Sequence, residues 1–353
     1  MKLPAMPSPA ELVRMYGLVS KKDLAQNFLL DLNITDRVVR SVPKVAGSTC
    51  IEVGPGPGGL TRSLLKAGAR KVIAIEKDTR FRPALETLAN VAQGRLELHF
   101  ADALQVDEEE LLRGEPKASS WEDESPVQIV GNLPFNVATE LLLKWLRQIP
   151  SRKGPFAHGD SSSPFPFCTH LALLPVLTNF FCEKGRAPMT LLFQTEVGER
   201  IFALPGTPEY GRLSVMTGVN CTARYAYRIP GSAFVPPPKV SGTLVTVIPR
   251  EKPVAEVDIA ALEHVCREVM GLRRKVLTNA LRKLGEGAAE AILGLSGLPA
   301  ERRPQDLGLE EWCRLTEAYQ RWQQQTAASD KNKTEDKTTQ RRSSRDFSAD
   351  LFL

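Results

Sequence analysis

The stretch IEVGPGPGGLTRSLL, from Ile51 to Leu65, leaves this chain few folds to choose from. An apolar run reads as a buried strand, a glycine-rich turn follows, and the apolar spacing then becomes that of a helix. Gly54, Gly56 and Gly59 satisfy G-x-G-x-x-G, and Glu76 ends the next apolar run about twenty residues on. A turn without Cβ atoms admits a nucleoside close to the backbone, and an acid at that distance is placed to grip ribose hydroxyls. Two ligand classes use such a turn: nicotinamide dinucleotides and S-adenosyl-L-methionine. Pro55 and Pro57 remove two N–H donors that a pyrophosphate would need, and FADAL offers Asp102 as acceptor for an adenine amino group. Both details favour S-adenosyl-L-methionine. The plainer reading of Asp102 is a helix cap.

The pattern around the turn repeats. TCIEVG, KVIAIEKD, LELHFADAL and VQIVGNL read as strands, with GGLTRSLLKAG, RFRPALETLANV and ATELLLKWLRQI as helices among them. Such alternation implies a parallel sheet covered on both faces, a doubly wound α/β fold. MTLLFQ and TEVGERIFA continue it, and ARYAYRI and SGTLVTVI close the sheet as an antiparallel pair. Upstream, AELVRMY is helical with Ser8 as cap, and a helix bearing Ile34, Val38, Val39 and Val42 starts at Asp31 or Asn33. Residues 151–187 break the rhythm with Pro, Gly and Ser and read as an insertion or long loop. From 251 to 326 the pattern is wholly helical, and 327–353, polar and mixed in charge, is expected to be disordered.

Composition excludes several classes. At 42% hydrophobic and 25% charged residues the chain is an ordinary globular one, and its net charge of +5 permits nucleic acid as a partner without demanding it. Six scattered cysteines, with no C-x-x-C pair, argue against zinc and disulfides, and no metal is expected. No apolar run reaches the ~18 residues of a membrane span. The N-terminus is short of acid and lacks the apolar core of a secretory signal; with Arg14 as its one arginine, a mitochondrial address is weak on composition alone.

Asn132-Leu133-Pro134-Phe135 stands at the carboxyl end of the VQIVGNL strand, beside the cofactor turn. An exocyclic amine such as N6 of adenine is a poor nucleophile, because its lone pair is delocalised into the ring. Acceptors aimed at its two hydrogens favour a pyramidal nitrogen with a free lone pair. The Asn132 amide oxygen and the Leu133 carbonyl supply them, Pro134 fixes the chain direction, and Phe135 offers a face for a flipped base. The bland alternative is an Asn-Pro turn with a core phenylalanine.

QNFLLD, IEVGPGPGGLT, IEKD, NLPF, RLSVM and AFVPPPKV occur in the order found in rRNA adenine N6,N6-dimethyltransferases of the KsgA type, and the resemblance runs from about Lys21 to Gln325. QNFLLDLNITDRVV, EKDTRF and the Phe at 135 look most like the mitochondrial branch, as does the leading KLPAMPSPAELVRMYGL. The resemblance implies a class I S-adenosylmethionine-dependent methyltransferase domain over 21–250, preceded by an arm at 1–20 and followed by a helical RNA-binding domain at 251–326. It implies dimethylation of two neighbouring adenines in a hairpin loop near the 3′ end of small-subunit rRNA, by a monomer in the mitochondrial matrix or, alternatively, the cytoplasm. By matching motif positions it implies cofactor contacts from Asn27, Leu29, Gly54, Gly56, Glu76, Lys77, Asp102, Ala103 and Asn132.

MGLRRKVLTNALRKL places Arg273, Arg274 and Lys275 with Arg282 and Lys283 on one helical segment, which is a phosphate-binding surface or merely a solvated face. Phe234 is either the second wall of a base-stacking slot or core. Rival functions are a non-catalytic RNA-binding assembly or transcription factor on the same fold, a large-subunit rRNA methyltransferase, and a nicotinamide dehydrogenase. The intact NLPF speaks against the first. The last lacks a hydride-transfer acid/base pair.

Overall fold

A computed structural model describes Pro4 and residues 6–24, 26–118, 125–151, 154–156 and 187–346. Helix α1 (Pro9–Met15) opens the chain, and its start follows from the sequence: the Ser8 side chain accepts from the Glu11 N–H, and Glu11 answers at the Ser8 N–H. Strand β1 (Phe28–Leu29) is followed by α2 (Leu32–Val39), capped by Asp31. Then come β2 (Thr49–Val53), α3 (Gly59–Lys66), β3 (Lys71–Ile75), α4 (Arg82–Val91) and β4 (Leu96–His99). A short α5 (Glu108–Leu111), β5 (Val127–Asn132), α6 (Ala138–Ser151), β6 (Met189–Gln194), α7 (Thr195–Ile201) and α8 (Arg212–Asn220) follow. Strands β7 (Cys221–Ile229), β8 (Phe234–Val235) and β9 (Gly242–Pro249) end the strand-bearing part.

Seven strands form one sheet in the order β4-β3-β2-β5-β6-β9-β7; the first five run parallel, and β9 pairs antiparallel with both β6 and β7. The doubly wound sheet with an antiparallel end is the architecture expected from the sequence. Every residue of β2 is buried, as a central strand covered on both faces requires. One core layer joins α2 and α3 to Val72, Val130, Leu192 and Leu244 of the sheet. A separate cluster of Leu12, Leu18, Phe28, Phe81, Ala84 and Leu85 seats α1. Outside the main sheet, β1 and β8 pair antiparallel, Leu29 opposite Phe234.

The chain divides into two compact units, Met1–Leu204 with Met216–Pro253, and Pro205–Val215 with Val254–Leu353. The second contains α9 (Ile259–Met270), α10 (Leu277–Leu281), α11 (Ala288–Ser296) and α12 (Leu309–Asp346). Within it the Tyr210 hydroxyl donates to the Leu307 carbonyl at 2.8 Å, and Arg273 donates to the carbonyls of Pro208 and Tyr210 at 2.6 and 3.2 Å.

Three expectations need correction. Arg273, Arg274 and Lys275 do not share a helix with Arg282 and Lys283: α9 stops at Met270, and α10 begins only after Val276, in extended conformation. Gly271 caps α9, and the Leu277 N–H is drawn to the Arg302 carbonyl at 2.7 Å. The segment from 327 is helical as far as Asp346, because nothing between Leu309 and Asp346 is Gly or Pro and no residue there stops α12. Strand β4 ends at His99, before Asp102. The expected loop at 151–187 lies mostly outside the described residues, which include only Ser151, 154–156 and Ala187 of it.

Candidate active site

The carboxyl ends of β2, β3, β4 and β5 open onto one cavity. Asn27, Gly54, Gly56, Glu76, Lys77, Asp102, Ala103 and Asn132 to Phe135 all line it, so most of the residues singled out from sequence meet in one place. Leu29 does not. It is 5% exposed and packs in the core cluster that holds Phe234 and the buried valines of α2.

Glu76 sits at the end of β3, 7% exposed. One carboxylate oxygen accepts from the Gly56 N–H at 3.0 Å and the other from the Asp78 N–H at 2.8 Å. The Lys77 N–H also acts on the carboxylate; with about four acceptor sites, capacity is left for a ribose hydroxyl. Burial pushes the Glu76 pKa up, against the pull of the Asp78, Gly56 and Lys77 N–H groups. Gly56 itself adopts φ +54, and a Cβ there would lie 3.2 Å from the Phe28 ring; the turn is shaped for a bare backbone. Asp102 accepts from the Leu104 N–H at 3.0 Å and from the Lys77 ammonium at 2.7 Å, and that ion pair holds its pKa down. The residues after it form a turn and no helix, so Asp102 is not a helix cap.

Asn132 ends β5. Its amide nitrogen donates to the Asn27 carbonyl at 2.9 Å, which leaves the amide oxygen as the end free to accept within the cavity. Leu133 also lines the cavity, although the residue is only 2% exposed. Phe135 is half-buried and meets Phe234 edge to face, ring centroids 6.4 Å apart. Phe234 is 1% exposed, which removes it as a stacking wall: it buttresses Phe135 from the core and offers no open face.

Sequence reasoning missed the wall made by Asp23, Leu24 and Gln26. The Gln26 amide donates to Asp78 at 2.9 Å, while Arg80 bonds both Asp78 oxygens and reaches the Val19 carbonyl at 3.0 Å. Arg80 is the main reason the Asp78 carboxyl is held at about 2. The QNFLLD and EKDTRF motifs contained these residues; their pairing across fifty positions was invisible. Among the described residues no group of three or more His, Cys, Asp or Glu could hold a metal ion, and no helix is long and apolar enough to cross a membrane.

Comparison with known proteins bears on what this cavity serves. Residues 18–321 match the family described as Ribosomal RNA adenine dimethylase. The chain is 41% identical to a protein named dimethyladenosine transferase 1, mitochondrial, from Vermamoeba vermiformis, over 92% of this chain and 97% of that one. It is also 41% identical to the ribosomal RNA small subunit methyltransferase A of Sinorhizobium fredii, over 89% and 90%. Among solved structures, a dimethyladenosine transferase from Plasmodium falciparum superposes with a TM-score of 0.55 at 21% identity, covering 81% of this chain and 94% of its own. The 23S rRNA methyltransferase ErmE does so at 0.51 and 22%, covering 83% and 100%. These two speak for the fold alone.

Proposed function

The chain belongs to the ribosomal RNA adenine dimethylase family, and from that premise we propose that it uses S-adenosyl-L-methionine to dimethylate N6 of two adjacent adenines in the 3′-terminal hairpin loop of small-subunit rRNA. The mitochondrial name of the Vermamoeba relative supports the matrix as the compartment, with an assembling small subunit as the partner. The residues present fit the cofactor: a turn whose backbone a Cβ would crowd, a buried carboxylate with acceptor capacity to spare, and Asp102 for an adenine amine. When bound, the cofactor supplies a methyl group already activated on a sulfonium. No metal and no strong base are called for.

The protein's task is therefore to prepare the amine. The observation that carries the reading is the tether from Asn132 to the Asn27 carbonyl, because it fixes which end of the amide faces the cavity. The Asn132 oxygen and the Leu133 carbonyl each accept one amine hydrogen, which localises the nitrogen lone pair toward the methyl donor. As the nitrogen takes the methyl it gains positive charge, and the same two acceptors stabilise it until its proton passes to solvent. Phe135, held by Phe234 behind it, stacks on the flipped base.

Asn132→Ala should slow methyl transfer by about a hundredfold or more, as loss of one preorganised polar contact does, while RNA binding persists. The monomethylated amine has one hydrogen left, so the ratio of mono- to dimethylated product should change as well. Mass spectrometry of nuclease-digested RNA reads both quantities. Dimethylation at the wild-type rate by this variant would refute the site, and unaltered reverse-transcription stops at the loop in cells lacking the protein would refute the substrate.

A further inference from the structure

The geometry points to Lys144 and Glu108 as positioning residues that aim Asp102 at the adenine end of the cofactor, an inference that rests on the reading of Asp102 given above. Asp102 and Ala103 lie on the loop that leaves β4. The Ala101 N–H still reaches the Glu76 carbonyl at 3.0 Å, but beyond it the backbone bonds are local: Leu104 to the Asp102 side chain and Gln105 to the Asp102 carbonyl. The Asp102 carboxylate also meets the Lys77 ammonium, but that side chain is mostly exposed, and two local bonds do not fix the loop's backbone against the rest of a domain.

Lys144, on α6, does. Its ammonium donates to the Ala103 carbonyl at 2.8 Å, the Val106 carbonyl at 2.6 Å and Glu108 Oε1 at 2.7 Å, three acceptors for three protons. Glu108 is 2% exposed, and its other bonds come from the same helix: the Trp145 indole N–H at 3.0 Å to Oε1 and the Gln148 amide at 3.1 Å to Oε2. Both oxygens of a buried carboxylate are thus bonded by α6 residues, and removing one partner would leave a charge stranded.

The route to Asp102 runs through one peptide plane. In a trans peptide the C=O and the N–H point opposite ways. The Ala103–Leu104 peptide turns its carbonyl to Lys144 and its N–H to Asp102 Oδ1. Rotating that plane away from Lys144 would release the carboxylate that meets the adenine amino group. The helix carrying Lys144 begins three residues after Phe135, so the clamp also ties the adenine loop to the segment bearing Asn132 and Phe135.

Isothermal titration calorimetry of the full chain with S-adenosylhomocysteine and with S-inosylhomocysteine, which lacks the amino group, tests this. The wild-type protein should prefer the adenosyl ligand by about ten- to a hundredfold, the effect of one hydrogen bond to a charged acceptor. Lys144→Met should compress that preference to about threefold or less, chiefly by weakening the adenosyl ligand. A folded Lys144→Met protein that binds both ligands more weakly with its preference intact overturns the inference, since a merely structural role predicts that result. Should Lys144→Met fail to fold, Glu108→Gln, of nearly equal volume, gives the same reading: a preference reduced by about threefold or more supports the clamp, and an unchanged one overturns it. A wild-type protein with no preference at all refutes the role of Asp102 itself, and the clamp with it.

Discussion

Glu52 offers the sharpest physical test of the fold beneath the glycine turn. It lies in the middle of β2, 0% exposed, opposite Ala74 and Val130, and only Thr61, beyond ordinary hydrogen-bond distance, pulls against its burial. Burial, reinforced by repulsion from Glu76, pushes its pKa up to about 8. Below pH 4.5 the group is protonated in native and unfolded chains alike and costs nothing. Between there and about 8 the unfolded chain gives up the proton while the native one keeps it, so stability falls as pH rises, and above 8 the loss is complete. At about 1.4 kcal/mol per pH step, the full loss from 4.5 to about 8 is on the order of 5 kcal/mol, with relaxation and water entry reducing it toward about 2. Glu52→Gln keeps the shape and removes the proton. Thermal melts of both proteins from pH 4.5 to 9 should show the variant gaining on the wild type throughout the rise and levelling off above 8. A gap that stays constant across that range would mean that Glu52 is already ionised in the native state, with Thr61 outweighing its burial.

Further outcomes follow from other residues. Glu76→Ala should weaken cofactor binding by about 1–3 kcal/mol through lost polar partners, read by calorimetry. Because burial raises the Glu76 pKa, wild-type affinity should decline on the acid side at a higher pH than an ordinary glutamate would give, and Glu76→Gln should remove that limb. Gly131→Ala places a Cβ 2.8 Å from the Leu133 side chain and 3.1 Å from the Val53 carbonyl; it should cost about 1–3 kcal/mol in a denaturant melt and slow methylation as well, because Leu133 must move. Arg274 and Lys275 are exposed while Arg273 is held by two carbonyls, so replacing the first two with Ala should flatten the salt dependence of RNA binding by about one per lost phosphate contact. An unaltered slope would return them to the role of solvated charges.

The features legible in sequence were those written in short range. Strand-helix alternation survives because each element carries its own period, and the glycine turn, Glu76 and NLPF announce themselves within a dozen residues of a strand end. Asp102 was legible as an acceptor, but its support by Lys144 was not, since an ammonium bonding two backbone carbonyls leaves no pattern in side-chain identity. The break at Gly271 was hidden because LRRKVLTNALRKL keeps helical composition across it; the competing bond from Leu277 to Arg302 is tertiary. Phe234 was open between two readings until its burial decided for the core. The wall at Gln26 depended on Asp78, fifty-two positions away.

The small sheet of Phe28–Leu29 with Phe234–Val235 gives the order of synthesis a meaning. The first strand emerges from the ribosome early, but its partner is made about two hundred residues later. Until then the segment that supplies Asn27, and through it the tether on Asn132, has no edge to pair with. The edge that seats the Asn27 segment is thus completed only when most of the chain has been made.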